Sequence, residues 1–341
     1  MKKFKKSKNL KNILVISLGD PSGIGTEITL KALGSQKLNK NIKPLLVGCK
    51  NNINETYSKL VDHGINNIPN PKDLEIIDIP LEKEIVPGIV DKHSGSASFK
   101  WLSKATNLIL EGKANALVTA PISKIAWHKA GHQFAGQTEL LGNLTNKKTS
   151  MLFTAISPNN GWRFNTLLAT THIPLNEINQ SLTDELIRYK LDSLVNFCRK
   201  FKERPLIHVA GLNPHAGEEG KIGIEEKNLI IPILNKWKTD NPDIKLNGPI
   251  PPDTCWITSA EAWHSDSIKN KAPDGILALY HDQGLIPVKL IAFDQAVNTT
   301  LGLPFIRTSP DHGTALDIAG KFKARETSMI AALNNAWILS Q

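Results

Sequence analysis

Apolar runs of strand length alternate with segments of helical spacing along most of the chain. The clearest runs are NILVISL, KPLLVG, NALVTA, MLFTAI, TLLAT, PLIHVAG, GILALY and PVKLIAF. This alternation predicts an α/β protein with a largely buried sheet. Between residues 175 and 204 the apolar residues have helical spacing, and Thr183 is a candidate N-cap, so this segment predicts a long amphipathic helix.

Composition indicates an ordinary globular protein. With 341 residues and 40% hydrophobic content, the chain can bury a substantial core and is long enough for two lobes. The three cysteines are too scattered for a disulfide framework or a cysteine zinc cluster, which favours a reducing compartment, and we expect the cytoplasm. The apolar run after the basic start is short and meets Gly19 and Asp20, so we expect neither a signal peptide nor a membrane span.

The positive charge predicts the kind of partner. The net charge of +9 comes partly from lysines in the first residues, and residues 1–9 are predicted to be a basic, solvated tail. The remaining excess would attract anionic metabolites or, less specifically, nucleic acid. Because basic and aromatic residues are not interleaved as in RNA-binding proteins, we expect a small anionic ligand and no nucleic acid.

Three histidines each follow the end of an apolar run: His172 after TLLAT, His215 after LIHVAG and His281 after GILALY. In an open α/β sheet, ligands collect beyond the carboxyl ends of the parallel strands, so these side chains can converge. Three imidazoles can hold a metal and leave positions open for substrate. The alternative is that each histidine only ends a strand and caps a loop. His208, inside its run, is interpreted as a buried, hydrogen-bonded strand histidine.

The loop GDPSGIG, residues 19–25, joins the first predicted strand to a helix beginning near Thr26. A helix N-terminus after a glycine-rich loop offers backbone N–H groups to an anion. The loop lacks the spacing of both G-x-G-x-x-G and the P-loop, so it predicts a tight functional turn and not a Rossmann or P-loop site. A purely structural turn is the alternative.

The stretch from residue 280 to residue 320 has more polar groups than packing requires, and it predicts a binding wall. Lys289 and Arg307 are suitable partners for a phosphate or carboxylate, and Asn298 can bind a hydroxyl or an amine. The alternatives are a surface lysine and an arginine in a structural ion pair.

Several motifs occur together in an order and spacing that resemble one family, the 4-hydroxythreonine-4-phosphate dehydrogenases (PdxA) of vitamin B6 biosynthesis, over nearly the whole chain. The motifs are GDPSGIGTEI, TAPISK, GQTELL, THIPL, GLNPHAGEEGKIGIEE, GPIPPDT, YHDQGLIPVK and VNTTLGLPFIRTSPDHGTALDIAG. The resemblance implies a two-lobed α/β fold similar to isocitrate and isopropylmalate dehydrogenases, with the active site in the interdomain cleft. It also implies a homodimer with active sites at the subunit interface, and NAD or NADP bound without a Rossmann loop.

The resemblance also implies roles for individual residues. The ligands of a divalent metal (Zn, Mg or Co) fall on His172, His215 and His281. The substrate contacts fall on Gln137, Thr138, Lys289, Asn298 and Arg307. Gln137 stands where the family pattern has histidine (GHTE), and glutamine forms hydrogen bonds but carries no proton or charge. Asp253 and Asp282 are candidates for supporting the metal ligands or for proton transfer. No residue is assigned to the nicotinamide cofactor.

The predicted reaction is the NAD-dependent oxidation of 4-phosphooxy-L-threonine to a 3-keto acid, which decarboxylates to 3-amino-2-oxopropyl phosphate. One alternative is a related dehydrogenase of 4-phosphorylated threonate or erythronate. From a different class, a phosphate acyltransferase or a phosphometabolite-binding protein is possible. We expect a first lobe at 10–150 with 300–341, and a second at 151–299 that carries most of the metal site and the dimer interface.

Overall fold

The computed structural model describes residues 12–341, and the predicted basic tail, residues 1–9, lies outside the described residues. The strands of the described part are β1 Ile13–Ser17, β2 Lys43–Gly48, β3 Glu75–Asp78, β4 Ala116–Thr119, β5 Ser150–Ile156, β6 Arg163–Leu168, β7 Leu206–Ala210, β8 Lys245–Ile250, β9 Gly275–Ala278, β10 Val297–Leu301 and β11 Ile306–Pro310. The helices are α1 Gly25–Leu33, α2 Lys50–Asp62, α3 Lys92–Leu110, α4 Lys124–Lys129, α5 Gln137–Thr145, α6 Ile178–Ser181, α7 Asp184–Cys198, α8 Ile231–Asp240, α9 Ile257–His264, α10 His281–Ala292 and α11 Thr327–Ser340.

The chain divides into two compact units, and the first contains the described residues up to Thr149 together with Val297–Gln341. Its strands have the order β3-β2-β1-β4-β11-β10. All of these neighbours pair in parallel except β10, which is antiparallel to β11. Helices α3 and α11 pack on this sheet, and β4 is buried along its whole length. This burial explains why its sequence is a continuous apolar run.

The second unit is Ser150–Ala296, and its strands have the order β5-β6-β9-β7-β8. Strands β6, β9 and β7 are neighbours and run parallel, so their carboxyl ends lie at the same edge of the sheet. Helices α7 and α10 pack against these strands. The residues that follow β6, β7 and β9 therefore leave the sheet from one edge, as the sequence predicted for the three histidines.

The α/β class predicted from the apolar runs is confirmed, and two local predictions are wrong. The run PVKLIAF is not a strand, because it lies in α10. Its buried residues Leu285, Val288 and Ala292 recur at helical spacing, a pattern visible only when the residues before the run are included. The helix predicted over 175–204 is divided: α7 begins after Thr183, whose hydroxyl accepts from the Leu186 N–H at 3.2 Å, and α6 precedes it.

Candidate active site

Arg307 lies in β11 between two strands that place hydroxyl groups beside it. It is paired with Leu117 of β4 and Thr300 of β10. Thr119 is two residues beyond Leu117, and side chains two residues apart on a strand share a face. The register therefore puts Thr119, Thr300 and Arg307 on the same face of the sheet.

The guanidinium of Arg307 is bound by neutral oxygen atoms. Its Nε and Nη2 donate to Thr119 Oγ1 at 3.2 and 2.7 Å, and its Nη1 donates to Thr300 Oγ1 at 3.0 Å. The residue is only 2% exposed. Burial lowers the pKa of Arg307 to about 10, and Glu139 opposes this shift through its charge. Arg307 is therefore protonated at neutral pH.

Arg307 has no salt-bridge partner among residues 12–341, because no described carboxylate lies within 4.0 Å of its guanidinium nitrogens. A buried charge without a partner is unfavourable, and buried arginines are usually paired with a carboxylate. The structural ion pair that the sequence left open as an alternative is thus absent. An arginine in this state suits a ligand that supplies the negative charge, such as a phosphate or carboxylate.

The first turn of α5 adjoins this arginine. Gln137, the first residue of α5, accepts from Arg307 Nη2 through its Oε1 at 3.3 Å and donates from its Nε2 to the Ala120 carbonyl at 3.0 Å. Thr138 follows in the same turn and is half-buried. Because a helix N-terminus carries partial positive charge, this turn adds to the attraction of Arg307 for an anion.

Asn298 offers an acceptor on the same face of the sheet. It is two residues before Thr300 on β10, and therefore points to the same side as Arg307. Its Oδ1 is buried and finds no hydrogen-bond partner among the described residues. A buried acceptor without a donor is unfavourable, so this oxygen suits a ligand hydroxyl or ammonium group.

His172 and His281 come together in the second unit, where their ring centroids lie 5.5 Å apart. His281 begins α10, and its Nδ1 is 2.7 Å from Asp282 Oδ1. This bond leaves Nε2 of His281 as the nitrogen for a metal ion, the arrangement common in carboxylate-histidine-metal sites. The chemistry of this pair suits a divalent metal.

His215 does not join the pair as a third ligand. Among the described residues, no three His, Cys, Asp or Glu side chains are grouped so that they could hold one metal ion. His215 lies in Pro214–Gly220, where it and three other non-glycine residues have positive φ angles between 44° and 58°. The stretch before it is held by buried Glu226, whose Oε1 accepts from the N–H groups of Leu212 and Asn213 at 2.7 Å each. Sequence reasoning missed Glu226, although the motif IEE contains it.

The three remaining candidates lie in β7, in a turn before α9 and in α10. His208 is confirmed as a buried residue of β7, where its Nε2 is 3.4 Å from Asn247 Nδ2, and burial lowers its pKa. Asp253 is exposed in a turn before α9. Lys289 is in α10, with its Nζ 5.4 Å from the centroid of the Phe293 ring.

The GDPSGIG loop is a tight structural turn. Every non-proline residue from Asp20 to Ile24 has its backbone N–H bonded to an oxygen atom of the protein. These groups are therefore not available to hold a phosphate. Gly19 has a φ of +74°, and a Cβ atom there would lie 2.2 Å from the Pro121 carbonyl oxygen. Burial raises the pKa of Asp20, and hydrogen bonds from Ser22 act in the opposite direction.

The fold and these contacts define an α/β protein with a buried arginine that lacks a described carboxylate partner in one unit and a histidine pair beyond strand ends in the other. A family model described as "Pyridoxal phosphate biosynthetic protein PdxA" matches residues 37–336. The chain belongs to this family. None of the helices in residues 12–341 combines the length and the apolar character needed to cross a membrane.

Individual relatives agree with this assignment. The chain is 53% identical over 324 residues to 4-hydroxythreonine-4-phosphate dehydrogenase of Synechococcus sp. (strain RCC307), covering 95% of this chain and 98% of the relative. It is 36% identical to D-threonate 4-phosphate dehydrogenase of Pectobacterium atrosepticum, covering 97% and 100%. The crystal structure of 4-hydroxythreonine-4-phosphate dehydrogenase from Klebsiella pneumoniae matches with a TM-score of 0.79 at 34% identity, covering 98% of this chain and 100% of that chain. This structural match confirms the α/β fold that the family resemblance implied.

Proposed function

We propose that this protein oxidises the secondary hydroxyl of 4-phosphooxy-L-threonine with NAD or NADP as hydride acceptor. The resulting 3-keto acid is a β-keto acid and loses carbon dioxide, which leaves 3-amino-2-oxopropyl phosphate for pyridoxal phosphate synthesis. The observation that carries the proposal is the buried charge of Arg307, which no described carboxylate compensates, in a chain of the PdxA family. The names of the 4-hydroxythreonine-4-phosphate dehydrogenase relatives supply the substrate.

The first unit binds the substrate in this proposal. Arg307 donates charge-assisted hydrogen bonds to the phosphate, and the phosphate supplies the negative charge that the buried guanidinium lacks. Thr138, in the first turn of α5, adds a hydroxyl group. Asn298 Oδ1 accepts from the substrate's hydroxyl or ammonium group, which satisfies a buried acceptor.

The second unit holds a divalent metal in this proposal, with His172 and His281 as ligands and His215 as the third. Two observations support this metal site. The rings of His172 and His281 are close together, and β6, β9 and β7 are parallel, so that their carboxyl ends lie at the same edge of the sheet. A divalent metal held by these histidines would supply Lewis-acid chemistry for the oxidation of a hydroxyl group. Asp282 orients the His281 ring by holding its Nδ1. Addition of His215 requires the segment Pro214–Gly220 to place its imidazole beside the pair.

We further propose that the protein is a cytoplasmic homodimer. On α10, Ile286, Leu290 and Phe293 are 59%, 82% and 59% exposed. Their spacing of four and three residues puts them on one stripe of the helix. Large apolar side chains grouped in this way on a surface mark an interaction site, and a second copy of the chain is the proposed partner.

The 36% identity to a D-threonate 4-phosphate dehydrogenase supports one alternative substrate, in which a hydroxyl group replaces the amine. The test is NADH formation by the purified protein with a divalent metal and three substrates: 4-phosphooxy-L-threonine, 4-phosphothreonate and 4-phosphoerythronate. We expect the highest kcat/KM with 4-phosphooxy-L-threonine. A higher value with phosphothreonate would establish the alternative, and the absence of reduced cofactor with every substrate, whether NAD or NADP is supplied, would refute the proposal.

A parallel assay of acyl transfer to inorganic phosphate distinguishes the acyltransferase alternative. We expect no acyl phosphate from acyl-coenzyme A under conditions in which NADH forms. Acyl phosphate formation without NADH would place the protein in the other class, whereas ligand binding with neither reaction would indicate a binding protein.

A further inference from the structure

Both ends of the Gln137 side chain are engaged by the protein. Its Nε2 donates to the Ala120 carbonyl at 3.0 Å, and its Oε1 accepts from Arg307 Nη2 at 3.3 Å. A carbonyl oxygen can only accept and a guanidinium can only donate. The two partners therefore fix the orientation of the Gln137 amide. Its nitrogen faces the Ala120 carbonyl, and its oxygen faces Arg307 as an acceptor.

We infer that Gln137 is a positioning residue, which holds the Arg307 guanidinium in place for an anion and acts on the ligand through that arginine. The guanidinium meets neutral acceptors from three elements: Thr119 at the end of β4, Thr300 on β10 and Gln137 at the start of α5. Contacts from three elements restrain a planar group. The inference rests on the proposed function for the identity of the anion, but not for the existence of the anion site.

A neutral acceptor at position 137 has a further consequence for the charge of the site. A carboxylate there would pair with Arg307 and compete with the ligand. A glutamine oxygen restrains the guanidinium and leaves its full charge for the ligand. The same holds for Thr119 and Thr300, so every side chain found bonded to the guanidinium restrains it without neutralising it.

Glutamine also removes a titratable group from the site. A histidine at position 137 could donate to Ala120 and accept from Arg307 only as the neutral tautomer, because a protonated imidazole has no acceptor. The charged groups recorded around this turn are Arg307 on β11, which contacts position 137, and Glu139 on α5 and Lys124 on α4, which both approach Gly136. The direct contact with Arg307 dominates and disfavours protonation. With glutamine, the hold on Arg307 does not depend on pH.

A double-mutant cycle separates positioning from direct contact. Calorimetry measures the binding of inorganic phosphate and of 4-phosphooxy-L-threonine, and neither measurement needs turnover. Gln137→Leu should lower the affinity for both ligands at least about fivefold. The reason is that it removes a restraint on the Arg307 guanidinium, which makes the charge-assisted contact to the ligand. In the Arg307→Met background, Gln137→Leu should change the remaining affinity for 4-phosphooxy-L-threonine less than about twofold. An undiminished effect in that background would mean that Gln137 binds the ligand directly, and would overturn the inference.

The pH dependence gives a second, independent measurement. Between about pH 5.5 and 8.5, phosphate affinity of the wild type should follow the ionisation of the ligand alone. Gln137→His should show an additional loss of affinity as the pH falls, since protonation of the imidazole releases Arg307. Gln133→His, which makes the same change at an exposed position of the same loop, is the matched control and should behave as the wild type.

Identical pH profiles for Gln137→His and the wild type, together with an unchanged phosphate affinity of Gln137→Leu, would contradict the positioning role. The outcome is independent of the proposed reaction. If no substrate yields NADH while phosphate binding still depends on Arg307 and on Gln137 through it, the proposed function fails and this inference stands. If NADH forms but the cycle shows additive effects, the inference fails and the proposed function stands.

Discussion

Replacement of Arg307 by methionine separates the binding role of the buried charge from its effect on stability. Burial lowers its pKa to about 10, and at 1.36 kcal/mol per pKa unit this shift means that the charge costs the folded state about 3 kcal/mol. Because the folded pKa of this cation is depressed, the cost is present at every pH below about 10 and does not vary near neutrality. Methionine removes it.

The substitution also removes the hydrogen bonds to Thr119, Thr300 and Gln137, each worth about 1 kcal/mol. The two effects oppose each other and are similar in size, so we expect the free energy of unfolding of Arg307→Met to change by less than about 2 kcal/mol. Loss of a charge-assisted contact to phosphate should weaken substrate binding by roughly 1.5–3 kcal/mol, or about 10- to 150-fold.

Thermal and chemical unfolding with and without 4-phosphooxy-L-threonine measure both quantities. At a ligand concentration near 100 times Kd, the wild type should gain about 2.7 kcal/mol, and Arg307→Met at the same concentration should gain much less. Arg163→Met is the matched control. Arg163 is a partly buried arginine whose pKa burial likewise lowers to about 10, but it lies in β6 over the Phe201 ring, with its Cζ 4.1 Å from the ring centroid.

Two results would refute this reasoning. A loss of stability above about 3 kcal/mol in Arg307→Met would show that the arginine is part of a structural ion pair, since breaking such a pair costs roughly that much. Undiminished stabilisation of Arg307→Met by the phosphorylated ligand would show that the anion binds elsewhere. We expect Arg163→Met to retain the stabilisation by ligand.

Three further predictions test the rest of the structure. His281→Ala should lower the affinity for Co²⁺, measured by calorimetry, at least about tenfold, while His208→Ala should affect only stability; equal affinities would contradict the assignment of His281 as a ligand. Gly19→Ala should destabilise the protein by more than about 2 kcal/mol in chemical denaturation, because its φ is +74° and its Cβ would lie 2.2 Å from the Pro121 oxygen; a change below about 0.5 kcal/mol would argue against the tight turn. Leu290→Asp should convert the proposed dimer to a monomer in sedimentation, and a dimer that persists would exclude this stripe of α10 as the interface.

Local sequence signals predicted the central strands well, because a strand that is buried on both faces has a continuous run of apolar residues. Strands β1, β2 and β4 are largely buried, and each is a continuous apolar run. Strands β10 and β11 were not predicted, since they carry Asn298, Thr300 and Arg307, whose polar side chains obscure the apolar pattern. The run PVKLIAF was assigned to a strand because a short apolar run does not by itself distinguish a strand from a helix.

The sequence by itself determined which chemical groups are present and where they leave the sheet. It selected Arg307, Asn298 and the strand-end histidines, and its motifs indicated the family that the comparisons confirm. Only the tertiary structure decided their partners. Thr119 and Arg307 are 188 residues apart, and strand register brings them together, which no local pattern specifies. For the same reason, the proximity of the His172 and His281 rings, with His215 outside this pair, was not predictable from spacing along the chain. Strand ends share an edge by topology, whereas loop conformation decides which side chains meet there.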